Sequence, residues 1–136
     1  MSTLNATPAS ARSAAPSPVA RTQECIDRCL ACQRGAIMTL THLRDLGGVH
    51  IDPVRVRCLL DCADACQVAA TFMMRGSHRL LEMCAVAARI CRDAADRCDG
   101  TNIEQLRKLV DACRSCETSC RELINAHAES PPLPSA

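Results

Sequence analysis

Residues 24–32 read ECIDRCLAC and residues 58–66 read CLLDCADAC. In both stretches cysteine recurs every three or four residues, the step that returns a side chain to the same face of an α-helix. Two later stretches follow the same rule. Residues 84–98, CAVAARICRDAADRC, space their cysteines by seven, and residues 113–120, CRSCETSC, by three and four. The four trios are Cys25, Cys29, Cys32; Cys58, Cys62, Cys66; Cys84, Cys91, Cys98; and Cys113, Cys116, Cys120. At about 100° per residue each trio falls within a sector of ~80° or less. Charged residues stand beside these stripes: Asp27, Arg28 and Arg34 flank the first, and Asp61 and Asp64 interrupt the second. Four helices that each point one cysteine stripe the same way are pointing it at a shared axis.

Outward from the cysteines, three breaks separate the helices. Gly47-Gly48 with Pro53 beyond, Gly76-Ser77, and Asp99-Gly100-Thr101-Asn102 each combine a C-terminal glycine with an N-capping residue. The helices are expected at Thr22–Leu46, Asp52–Arg75, Ser77–Cys98 and Asn102–Ala128. Short connections between long helices make consecutive helices antiparallel neighbours. The expected fold is all-α: an up-down-up-down four-helix bundle with a cysteine-lined core over residues 22–128. Residues 1–21, rich in Ser, Ala and Pro, read as a disordered arm, and residues 129–136, ending SPPLPSA, as a disordered tail.

Composition narrows the interior and the partners. Of 136 residues 12 are Cys, and the chain has no Trp or Tyr and one Phe, Phe72, so the core is built from small or thin side chains. A net charge of +1 supplies no field for nucleic acid, and no apolar run is long enough to span a membrane. Residues 1–23 contain neither a hydrophobic signal core nor a twin arginine. The expected compartment is therefore the reducing cytoplasm, where thiols stay reduced unless a metal takes them.

Cysteine also serves as a small core hydrophobe, but that use does not explain its choice at inward positions of all four helices. Residues four apart on a helix have Cβ atoms about 5–6 Å apart, too far for a disulfide, so bridges would have to run between helices. The C-x-x-C pairs Cys29/Cys32 and Cys113/Cys116 lie inside helices, without the βαβ setting of a thioredoxin-like motif. Metal remains. Soft thiolates select Cu(I), Zn or iron–sulfur clusters, and the latter two favour ligands grouped on loops or turns. A cation of charge +1 replacing each thiol proton leaves a buried core neutral, whereas one divalent ion per thiol would not. Twelve thiols strung over roughly 25 Å of bundle describe a column holding multiple Cu(I) ions.

In depth, Cys25, Cys29, Cys84 and Cys120 fall at one end, here the upper, and Cys58 and Cys98 fall lowest. Met73 and His127 continue the inward phase at the upper end, where a thioether and an imidazole would pass Cu(I) inward; core filling and a fraying helix end are the competing readings. Leu43, Ile51, Leu106 and Leu109 are expected as an apolar plug at the lower end. Met38, Met74, His42 and His78 fall off the inward face.

The motifs ECIDRCLAC, CLLDCADAC, CAVAARIC with CRDAADRC, and CRSCETSC resemble those of the bacterial copper storage proteins over about residues 22–128. The resemblance implies high-capacity Cu(I) storage, inward thiolate ligands and a homo-oligomer, commonly a tetramer of bundles. Without a twin-arginine signal the chain is similar to the cytosolic branch, although it has fewer cysteines than richly loaded members. Leu59, Leu60, Val86 and Ile90 are read either as an oligomer face or as interhelical packing. The alternative function is an iron–sulfur or thiol-based redox protein. No constellation of catalytic residues stands out, and the four histidines are dispersed, so the chain is not expected to be an enzyme.

Overall fold

The structure is a computed structural model, and it describes residues 15–48 and 51–129. The expectations for residues 1–14 and 130–136, and the placement of His50, lie outside the described residues. Four helices make up the fold: α1 (Pro18–Leu46), α2 (Pro53–Met74), α3 (Leu80–Cys98) and α4 (Glu104–Glu129). Each packs its backbone on its two neighbours, α1 on α2 and α4, and α3 on α2 and α4, while diagonal helices meet only through side chains at the axis. Sulfur contacts set the directions. Cys25 meets Cys120 at one end of α1 and Cys32 meets Cys113 further on, so α1 and α4 are antiparallel. The result is the expected up-down-up-down bundle around one axis.

The helix ends follow local chemistry. Asp52 caps α2 by accepting from the Val54 N–H at 3.1 Å, and Pro53 occupies the first turn, where its missing N–H is not needed. At the other end of α1, Gly47 adopts φ 69°, a left-handed conformation that lets its N–H reach back to the Leu43 carbonyl at 2.9 Å. Gly100, at φ 79°, serves the turn into α4.

Two starts differ from the sequence reading by three residues or more, the other two by one or two. The first helix begins at Pro18, not Thr22, so Pro18–Arg21, assigned to the disordered arm, are helical. Ser17 is the reason: its hydroxyl accepts from the Ala20 N–H at 3.1 Å, and Pro18 behind it is preset for a first turn. The third helix begins at Leu80, not Ser77. Ser77 instead accepts from the Arg79 N–H through its hydroxyl and from the Leu80 N–H through its carbonyl, closing a turn.

The core is Cys and Ala through most of its length, with Leu at the two ends. Phe72 contributes little to it; its ring lies under the Arg75 guanidinium, 4.2 Å away. Leu43, Leu106 and Leu109 are buried at the lower end as expected, but Ile51 is 44% exposed. It precedes the Asp52 cap and lies on a surface groove with Ile37, Val56 and Leu60 rather than in the plug. Leu59 is fully buried, so it is packing, whereas Leu60 and Val86 are exposed. Met38, Met74, His42 and His78 are exposed, as their phase required.

Candidate metal centre

All twelve cysteines are free thiols, and all but Cys58 are buried. Each helix places its stripe by period alone, and the antiparallel ring then brings stripes from different helices into register.

At the upper end Cys25 Sγ lies 3.6 Å from Cys120 Sγ, and Cys29 Sγ lies 3.9 Å from Cys120 and 3.5 Å from Cys116. Cys84 lies beside Cys25 and Cys120, and its thiol interacts with both. Below them Cys66 spans to Cys91 at 3.4 Å and Cys116 at 3.8 Å. Cys32 then meets Cys62 at 3.5 Å, Cys113 at 3.6 Å and Cys91 at 3.8 Å. Cys62 closes this layer, 3.8 Å from Cys113 and 3.9 Å from Cys91. Nine thiols thus form an unbroken chain of sulfur contacts, with Cys84 beside its upper end. Within it the sulfurs of Cys32, Cys62, Cys66 and Cys91 all lie within 4.8 Å of one another, as do those of Cys25, Cys29 and Cys120.

The two lowest cysteines are not brought into this column. One helical turn beneath the Cys32–Cys62–Cys91–Cys113 layer, at about 1.5 Å per residue, come Ala36, Leu59, Ala95 and Leu109, all buried. Cys98 lies another turn down, buried beneath that apolar layer, with the Arg55 guanidinium acting on it. Cys58 is half-buried at the surface, its thiol donating to the Asp93 carboxylate at 3.9 Å. The period had placed Cys58 inward with Cys62 and Cys66; in the assembled bundle Leu59 takes the inward place at that height.

Met73 is buried at the upper end, in the position its phase required. It and Leu123, also buried, stand about one to two turns beyond the uppermost sulfurs on their helices. His127 is exposed near the end of α4, its Nδ1 3.0 Å from the Leu123 carbonyl oxygen. Two buried polar residues escaped the sequence reading. Thr39, on α1, continues the stripe seven residues past Cys32 and is fully buried, 3.5 Å from Gln105 Nε2. Ser119, on α4 beside Cys120, is 8% exposed and acts on the Cys25 thiol. Both positions follow from the cysteine phase, but attention to Cys alone passed over them.

Packing thiol on thiol divides their acidities. Cys91 is pushed far up by Cys113 and its other thiol neighbours, with burial adding to the effect, and Cys29 and Cys32 rise for the same reasons. Cys62 and Cys116 are held down because neighbouring thiols, Cys113 for the first and Cys120 for the second, hydrogen-bond to the charged form. Below the column, burial pushes Cys98 up to about 11, with Arg55 pulling in the other direction.

The sequence profile of the copper storage proteins matches residues 17–125. The chain belongs to the copper storage protein family. A copper storage protein, BsCsp3, whose structure is Cu(I)-bound, superposes with a TM-score of 0.74 at 25% identity, over 76% of this chain and 98% of that one. A second solved structure, the Nmul_A1745 protein of Nitrosospira multiformis, gives 0.72 at 32% identity over 78% of this chain and 96% of that one. A cytosolic copper storage protein from Streptomyces lividans, seen with five coppers, gives 0.67 at 25% identity over 77% and 92% of the two chains. Like the family it belongs to, this chain has copper storage as its function, and its buried thiol clusters suit that cargo.

Proposed function

We propose that this copper storage protein sequesters multiple Cu(I) ions on the thiolates of its bundle core, without turnover. One observation carries the reading: nine thiols from four helices in continuous contact, enclosed by alanine and leucine. Each incoming ion replaces thiol protons, and two sulfurs within 4 Å of each other already stand as a ligand pair. Loading toward one Cu(I) per thiol leaves the buried column neutral, which a divalent ion would not. The ligands proposed are Cys25, Cys29, Cys32, Cys62, Cys66, Cys84, Cys91, Cys113, Cys116 and Cys120. Cys98 and Cys58 form a lower pair of sites, filled after the column because neither has a sulfur within contact.

At the upper end Met73 is the soft donor of the apolar cap, and His127 stands beyond it, which makes this the end where copper is taken up. Exposed apolar residues, Val68 and Val86 in a groove between α2 and α3 and Leu60 with Ile37 in another between α1 and α2, support assembly into a homo-oligomer, a tetramer by resemblance to the family. Among the described residues no helix is long and apolar enough to cross a membrane, and the Streptomyces relative is cytosolic. Both support a cytoplasmic site of action.

The deciding experiment is an anaerobic titration of the reduced protein with Cu(I) against a chromophoric chelator. Tight uptake of many equivalents, approaching the number of thiols, is expected. Saturation after one or two would end the storage reading.

A further inference from the structure

The column is closed at both ends by apolar side chains, Met73 and Leu123 above and Leu43, Leu106 and Leu109 below. Its walls are largely alanine, with Ala69, Ala70, Ala87 and Ala88 beside the upper sulfurs. A cation with a tightly held ligand shell does not cross such surfaces cheaply. One stretch of wall is different. Between α1 and α4 runs a groove of about 290 Å³ whose lining is polar or charged throughout, including Glu24, Arg28, Ser115, Ser119 and Glu122.

Ser119 joins this groove to the sulfurs. It lines the groove, yet it is 8% exposed, and it adjoins Cys120 in the chain and acts on the Cys25 thiol, behind which stands Cys29. Among the described residues the only other buried polar side chain is Thr39, which is occupied with Gln105 at the lower end. The groove also has a bar across it. Arg28 is held by Glu24 on its own helix at 2.9 Å and bonds across to Ser115 on α4. It places a positive charge over the opening, on a rim that also carries the carboxylates of Glu24 and Glu122 and the Arg114 guanidinium, the latter paired away from the groove with Asp96 and Asp99.

We propose that Cu(I) reaches the column laterally, through the groove between α1 and α4, past the Arg28 bar and over the Ser119 hydroxyl to the Cys25–Cys29–Cys120 trio. The proposal rests on the storage reading and locates the route at the upper end in the side wall, not along the axis past Met73. The carboxylates draw the cation in, and the serine oxygen gives it a ligand between water and the first thiolates. Displacing Arg28 removes a charge of the same sign from its path.

Stopped-flow uptake from a Cu(I)–chromophoric chelator complex, under anaerobic conditions, tests this on the full-length protein. Ser119→Val should slow the first phase of uptake by about tenfold, the effect of losing one polar contact to a passing cation, and Ser119→Ala should slow it in the same direction. Arg28→Ala should accelerate it. End-point capacity is read in the same samples. A wild-type chain that takes up few equivalents overturns the storage reading itself. Full capacity with Ser119→Ala and Arg28→Ala both at the wild-type rate overturns the lateral route, as does uptake slowed by Met73→Leu but by neither serine substitution. Should Ser119→Val fail to fold, Ser119→Ala and Arg28→Ala, which move the rate in opposite directions, still decide the question.

Discussion

Cys66 Sγ on α2 and Cys91 Sγ on α3 face each other at 3.4 Å across the helix interface, the shortest sulfur–sulfur approach in the column. No cysteine within one helix comes so close to another, because helical neighbours four apart stand about 5–6 Å apart at Cβ. The pair exists only because two antiparallel helices bring their stripes to the same height. Each sulfur then has a second partner, Cys116 for Cys66 and Cys32 for Cys91, so a metal ion bound between the two is next to further ligands.

Removing this pair should therefore cost capacity. The Cys66→Ala/Cys91→Ala double variant is expected to bind fewer Cu(I) equivalents than wild type in the anaerobic chelator titration. Cys58→Ala, whose thiol meets only Asp93, should lose less. Equal losses would mean that the column is not the main store.

Alkali should weaken the apo bundle. Burial raises the Cys98 pKa from the ordinary 9.0 to about 11 in the folded chain. The folded state thus holds a proton that the unfolded state releases first. Its contribution to stability is complete below pH 9 and disappears as the pH rises through about 11, a loss of about 2–3 kcal/mol. Urea unfolding under reducing, metal-free conditions at a series of pH values should show this decline, and Cys98→Ala should reduce it.

Leu59 fills the layer between the column and Cys98 and is fully buried. Leu59→Ala is expected to cost about 2–5 kcal/mol of apo stability, the transfer loss plus the cavity it leaves. Thermal unfolding followed by circular dichroism would measure it. A cost below about 1 kcal/mol would indicate that the layer collapses or was loosely packed.

The cap of α1 offers a separate check. Ser17→Ala removes the acceptor for the Ala20 N–H and should cost about 1 kcal/mol, with slightly less helical signal and no change in copper capacity. No change in stability would place the real start of the helix further along the chain.

Copper removal should lower the unfolding midpoint without abolishing the helices. The apo core is already a packed set of neutral thiols, alanines and leucines, so the metal adds binding free energy to a formed fold. Loss of helical signal on stripping the copper would contradict this.

Much of the fold was legible in the cysteine phase, because period constrains a helix strongly and glycine with a capping residue marks its ends. The departures have local causes. Pro18 was grouped with the Ser, Ala and Pro around it, although a proline directly after serine is also a preferred first turn. Ile51 continued an apolar pattern into a linker whose course depends on the cap at Asp52. Ser119 went unnoticed because its importance comes from position, beside a sulfur and beneath a groove, and not from residue type.

The sequence by itself determined that each helix carries one thiol stripe, since a helical period of 3.6 leaves no other way to read trios spaced by three, four and seven. It also determined the softness of the ligands, and with it the class of metal. Only the tertiary structure decided which thiols touch. Nine of them are joined because antiparallel packing brings stripes from four helices to matching heights. Cys98 is cut off by Leu59 and Leu109, and Cys58 is turned to the surface, because a side chain's depth depends on how each helix is rotated and seated against its neighbours, which its own period does not specify.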